Sequence, residues 1–197
     1  MPTFDRSWLR DQVMSYLHDD SVLSIVDTWI DIGAKRVSQV MECAEMETVI
    51  ERLTGSLDVF IQLPSDTRKL LGVQWFNSSR WSNLRSVPRH VAPCYDSTGT
   101  PAVYWIEQRK IYPLPFVDGD YRAQVLADVV IPDTGEHPAL TAHPYVFLNA
   151  ALSEAYDWKQ NLEMVQRYDN KWNSEANVVT AEYISEVTGE VPAMRAI

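Results

Sequence analysis

Proline placement divides this chain into three parts and sets what each can become. Of its 11 prolines, nine lie between Pro64 and Pro144, both included; only Pro2 and Pro192 fall outside. A proline inside a helix removes a backbone donor and clashes with the preceding turn. Long helices are therefore expected at the two ends, with strands and loops between them.

Both ends carry helical periodicity. Trp8, Leu9, Val13, Tyr16 and Leu17 fall on one helical face, with Asp5 or Ser7 as candidate caps. A break is expected at His18–Ser21, with Asp20 or Ser21 capping the next helix. Val26, Ile30, Gly33, Val37, Val40 and Ala44 then form a packing seam, which Trp29 and Met41 widen. Near the other end Pro144 suits a first helical turn. Tyr145, Leu148, Leu152 and Ala155 line one face there. After a break at Gln160–Asn161, a last helix carries Leu162, Val165, Tyr168, Trp172, Ala176, Val179 and Tyr183, up to Gly189 and Pro192.

The middle switches to a period of two. Met46–Leu53 and Leu57–Leu63, around Thr54-Gly55-Ser56, read as a hairpin. Leu70–Phe76 reads as a strand. Ala102–Glu107 and Lys110–Pro113 read as two more, turning at Gln108-Arg109. Asp118-Gly119 is a hairpin-turn signal, and Tyr121, Ala123, Val125, Ala127, Val129 and Ile131 alternate after it. The expected fold is α+β. An antiparallel helical bundle of residues 1–45 and 143–186 would bear a β-rich insertion of hairpins, with a long loop, over 46–142. A tail, 187–197, would follow.

Charge follows the same division. The chain carries 27 acidic and 17 basic residues, a net charge of −10. Residues 66–110 run the other way, with seven bases, Arg68, Lys69, Arg80, Arg85, Arg89, Arg109 and Lys110, against three acids. An acidic total excludes a simple nucleic-acid clamp, which needs a basic footprint. Seven Trp and nine Tyr exclude a disordered chain. Cys43 and Cys94 make no disulfide framework and no metal pair, as expected of reduced thiols in a cytosol. Met1–Arg10 lacks the apolar core of a signal peptide, and no run approaches the ~18 apolar residues of a spanning helix. The expectation is a chain made in the cytosol that stays off membranes.

No catalytic constellation stands out. His18, His90, His137 and His143 form no HExxH, and no Cys/His pair has zinc spacing; His90 and Cys94 flank Pro93. Phosphate-binding glycine loops and a GxSxG elbow are missing. The acidic pairs Asp19-Asp20, Asp118/Asp120 and Glu45/Glu47 permit glycosidase chemistry in principle, but they sit where caps and turns prefer acids. No catalytic residue, metal or cofactor is expected. The aromatic stretch Trp75–Trp81, with Arg80 and Arg85, suits base stacking, a buried satellite core or an inter-subunit contact; the acidic balance favours the contact over the bases.

One ordered set of short motifs carries more. Two N-terminal helices are followed by Met46-Glu47-Thr48, then Gln62-Leu63-Pro64-Ser65-Asp66, Pro101-Ala102-Val103-Tyr104-Trp105-Ile106-Glu107 and Lys110-Ile111-Tyr112-Pro113-Leu114-Pro115. A long strand, the His143-Pro144 helix start and a final amphipathic helix complete it. Over residues 8–185 this order resembles the adaptor, or head-to-tail connector, proteins of short-tailed, podovirus-like bacteriophages. In that family the Thr67–Thr100 segment is a variable loop, and the last dozen residues match no motif.

The resemblance implies a structural virion protein without a catalytic site, made in the host bacterial cytoplasm and placed at the head–tail interface. Its partners would be the portal, a nozzle or tail-tube protein, and further copies of itself in a ring, typically of twelve. Genomic DNA would pass through during packaging and ejection without sequence-specific binding. Acidic walls would keep DNA from being gripped, and the candidates are Asp19, Asp20, Asp27, Asp31, Glu163, Asp169 and Glu175. Ring closure needs one patch to meet a different patch on the next copy. Arg80, Trp81, Arg85 and Arg89 are the inter-subunit or tail-docking candidates. Val191, Pro192, Met194 and Ile197 are the portal-docking candidates. The competing readings are a tail-associated cell-wall glycosidase and a generic cytosolic protein-interaction module.

Overall fold

The computed structural model describes residues 3–53, 58–94 and 98–188, apart from the side chains of Asp20 and Pro93. It has an α+β architecture, with five α-helices and a nearly closed seven-stranded sheet. The chain separates into two compact units, Met1–Met46 with Asp128–Ile197, and Glu47–Ala127. Among the described residues no helix is long and apolar enough to cross a membrane.

The first unit is helical. Helix α1 spans Arg6–Leu17. It starts where the Asp5 carboxylate accepts the Trp8 N–H at 2.8 Å and stops at His18, which turns left-handed (φ 49°). Asp19 then caps a 3-10 turn, Asp20–Val22. Helix α2, Val26–Val40, begins at Ile25 without a side-chain cap, so neither Asp20 nor Ser21 caps it. Its buried seam is Val26, Trp29, Ile30, Gly33, Ala34, Val37 and Ser38. Met41 is buried just past the helix. Ala44 leaves the seam, because the chain has already turned into the 3-10 segment Ala44–Met46.

Helices α3 (Pro138–Ala142), α4 (Pro144–Trp158) and α5 (Leu162–Thr188) complete this unit. Helix α4 contacts α1, α2 and α5 and is apolar almost all round. It buries Val146 through Ser153, and Ala155. The single face expected there is therefore too narrow, and Tyr145, placed on it, is 62% exposed. Gly33 explains how α2 comes so close. A Cβ there would lie 2.8 Å from the Ala151 nitrogen. Helix α5 is amphipathic as its spacing predicts, burying Tyr168, Trp172, Ala176 and Tyr183.

The second unit is the sheet. Its strands are β1 (Glu47–Arg52), β2 (Ile61–Gln62), β3 (Thr67–Phe76), β4 (Trp81–Ser86), β5 (Val103–Glu107), β6 (Lys110–Leu114) and β7 (Tyr121–Ala127). They lie in the order β1-β7-β3-β4-β5-β6-β2. Strand β7 is central to one half. It runs antiparallel to β1, with Glu47 opposite Leu126, and to β3, with Val73 opposite Ala123. Strands β5 and β6 form the expected hairpin, with Gln108 and Arg109 both left-handed (φ 49° and 63°). Alternate residues of β7, Tyr121, Ala123 and Val125, meet Ile61, Val73, Leu84, Tyr104 and Ile111 in one core.

Three expectations change here. Met46–Leu63 is no hairpin, because β1 pairs with β7 while β2 pairs with β6. Asp118-Gly119 precedes β7 without joining it to β6 as a hairpin. The Thr67–Thr100 segment carries β3, β4 and a 3-10 turn, Ala92–Cys94. Polar residues fill β4, so its period-two signal is weak.

Candidate interaction surfaces

The acidic candidates fall into two groups once their neighbours are known. Arg6 is buried in the helical unit and donates to Asp31 at 2.5 Å and to the Ile131 carbonyl at 2.7 Å. Asp27 and Asp133 lie 3.6 and 3.5 Å from the same guanidinium. Burial alone would lower its pKa, but the Asp31 hydrogen bond and the three carboxylate charges raise it instead. Arg10 grips Asp27 with two hydrogen bonds, at 2.7 and 2.9 Å. Asp19 accepts from the Ser21 backbone and hydroxyl and pairs with Lys159 at 3.1 Å, and these bonds lower its pKa.

Asp169 is the most heavily engaged. Its carboxylate accepts from Ser153 Oγ at 2.6 Å, Trp172 Nε1 at 2.9 Å and Arg36 at 3.0 Å. Burial would raise its pKa, but those hydrogen bonds and the Arg36 charge hold it below the usual carboxylate value. Arg36 is shared with Glu154 and lies over the Trp172 ring. Glu163 and Glu175 are exposed and have no ion pair among the described residues. Four acidic candidates therefore carry a local counter-charge, and these two on α5 do not. The seventh, Asp20, has no described side chain.

The basic candidates sort in the same way. Arg80 and Arg85 are exposed, on the β3–β4 turn and on β4, with no ion pair among the described residues. Arg89 pairs with Glu107. Trp81 is no free anchor, because its ring packs on Phe76, 5.2 Å away, and carries the Arg122 guanidinium 4.3 Å above it. Arg109 donates to the Pro64 and Thr67 carbonyls, and Lys110 sits 4.1 Å over Phe60. Val191, Pro192, Met194 and Ile197 lie outside the described residues.

Sequence spacing missed one grouping. Cys43, Glu45 and His143 bring a thiol, a carboxylate and an imidazole within 4.8 Å of one another. Neither zinc-type spacing nor helical periodicity links positions so far apart; only the packing of the α3–α4 junction beside the 3-10 turn does so. His143 Nε2 lies 3.8 Å from Glu45. The thiol is buried, and burial, with the Glu45 hydrogen bond and charge, pushes its pKa up to about 12. As a resting nucleophile it is therefore poor.

The comparisons with known proteins bear on the chain as a whole. No curated protein matches it. The family model described as SU10 adaptor protein matches residues 5–192 and so runs through both units. With that match spanning nearly every described residue, the chain belongs to the SU10 adaptor protein family.

Proposed function

We propose that this protein is a structural adaptor of a bacteriophage virion, forming a ring that joins the portal to the tail and extends the DNA channel. Membership of the adaptor family over residues 5–192 carries this reading. Its role is assembly rather than catalysis. The division of labour follows the proposed domains: an antiparallel bundle, 1–45 with 143–186, bears the insertion 46–142, and the tail 187–197 docks on the portal through Val191, Pro192, Met194 and Ile197. Nozzle or tail-tube proteins bind the opposite side. A twelve-fold ring is the expected stoichiometry, at the head–tail interface.

Two charge features support the assembly. Arg80 and Arg85 keep their charge for an outside partner, and with Trp81 and Arg89 they form the patch that meets the acidic helical unit of the next copy. Glu163 and Glu175 keep theirs on α5, which favours α5 as the channel wall over the Asp19, Asp20, Asp27 and Asp31 side. DNA slides past such a wall because no cation there exchanges for its counterions.

Native mass of the full chain, with and without the portal, is the test. The expected result is a single large assembly on the portal, weakened at high salt as exposed pairs are screened over ~8–10 Å. A monomer that ignores the portal at every salt concentration overturns the reading.

A further inference from the structure

The Cys43–Glu45–His143 group has the chemistry and spacing of a transition-metal site. Three different donors, sulfur, oxygen and nitrogen, converge from two chain segments. Cys43 and Glu45 flank the start of the 3-10 turn Ala44–Met46. His143 sits at the junction of α3 and α4, where its ring does not cap α4. Its one recorded polar contact among the described residues is Glu45 at 3.8 Å. Tetrahedral zinc with bonds of about 2.0–2.3 Å separates neighbouring ligands by roughly 3.3–3.8 Å. The His143–Glu45 separation already matches such an edge, and every other pair lies within 4.8 Å. Closing the rest takes about 1 Å of side-chain rotation.

The site also has room and a fourth side. A cavity of about 140 Å³ adjoins the three donors and is otherwise lined by Ala44 and by Val179, Glu182, Tyr183 and Glu186 of α5. That exceeds the ~30 Å³ that one water occupies. Glu182 and Glu186 lie one helical turn apart, so either carboxylate, or a water, can complete the coordination. A thiolate with an imidazole selects zinc-like ions over magnesium or calcium, which take oxygen donors.

We propose that Cys43, Glu45 and His143 bind one zinc-type divalent cation, which clips the end of α2 and the α3–α4 junction to the C-terminal half of α5. Binding forms the Cys43 sulfur–metal bond and releases the thiol proton to solvent, the charge being met by the cation. The clip is structural. It leaves the ring proposal untouched, and the two fail separately.

Cobalt(II) added to the chelator-stripped full chain tests it. One cobalt per chain is expected, with a thiolate-to-cobalt charge-transfer band that zinc abolishes by displacement. Cys43→Ser should remove the band, and Cys94→Ser should keep it. His143→Gln, at a partly exposed position, should bind about tenfold more weakly or worse while its circular dichroism stays that of the parent. Zinc should also raise the thermal midpoint of the parent and not of His143→Gln, by mass action on the folded state. No thiolate band, a band that follows Cys94, or unchanged binding by His143→Gln each overturns the proposal.

Discussion

The helical unit and the sheet unit neutralise their cations differently. Residues 1–46 with 128–197 hold 19 acids and eight bases, while 47–127 hold eight acids and nine bases. In the helical unit carboxylates take the cations. Arg6, Arg10, Arg36 and Lys159 all pair with acids, with Arg36 also against Trp172. In the sheet unit aromatic rings take much of that role. Arg122 lies over Trp81, Arg52 over Phe116 and Tyr121, and Lys110 over Phe60. The acidic unit thus satisfies its few bases and leaves carboxylates such as Glu163 and Glu175 facing solvent. The balanced unit shields cations by stacking and leaves Arg80 and Arg85 over. Opposite surplus charges on one chain are what a head-to-tail contact between copies requires.

The largest expected effect separates the two cores. Phe147→Ala in α4 should cost about 3–5 kcal/mol, because a fully enclosed ring leaves a cavity that neighbouring helices cannot fill; Phe147 is 1% exposed. Chemical denaturation reads it. A loss under about 1 kcal/mol would mean that α4 is not the centre of its unit.

A pair of glycines sharpens the contrast. At Gly33 an added Cβ meets backbone, the Ala151 nitrogen at 2.8 Å and the Ala150 carbonyl carbon at 3.0 Å. At Gly119 it meets the Trp75 indole, Nε1 at 2.9 Å, which is a side chain. Gly33→Ala should therefore lose about 1–3 kcal/mol as two helices are forced apart. Gly119→Ala should lose clearly less, because an indole can turn where a backbone cannot. Equal losses by thermal unfolding would break the distinction.

Acid should act first on the helical unit. The Asp169 pKa is lowered in the folded chain, so its contribution is complete above the ordinary aspartate value, ~3.9. It is lost as the pH falls through the lower folded value. Asp169→Asn should cost about 1–2 kcal/mol at neutral pH, since a charged acceptor of three hydrogen bonds becomes neutral. It should also flatten the acid limb of the stability curve. An unchanged acid limb would show that Asp169 titrates alike in both states.

These effects fall where the sequence is easiest and hardest to read. Helix α5 is legible, because Tyr168, Trp172, Ala176 and Tyr183 recur on one face and no proline interrupts them. Helix α4 is only half legible. Ala150, Ala151 and Ser153 give no face of their own, yet they are buried because helices close on several sides. Strand positions such as those of β7 could be read from alternation. Their partners could not, since Thr48 faces Val125 by a pairing that closes most of the sheet unit. The charged candidates were legible as residues, and their local pairs were not. Arg6 finds Asp31 and Asp133 through packing alone, and Cys43 reaches His143 the same way.

The smallest effect on folding carries the sharpest test of the comparison. Arg80→Gln with Arg85→Gln removes two exposed charges that have no partner within the described chain, so unfolding should shift by no more than about 0.5 kcal/mol. If those charges serve the next copy, assembly on the portal should weaken and lose most of its salt dependence, because the screened contacts are gone. Glu163→Gln with Glu175→Gln supplies the opposite arm. It should leave ring assembly intact if those carboxylates face the passage, and raise retention of duplex DNA by the assembled ring. Assembly lost in both variants would place α5 at the contact between copies instead. The two surplus charges would then be halves of one interface rather than an interface and a wall.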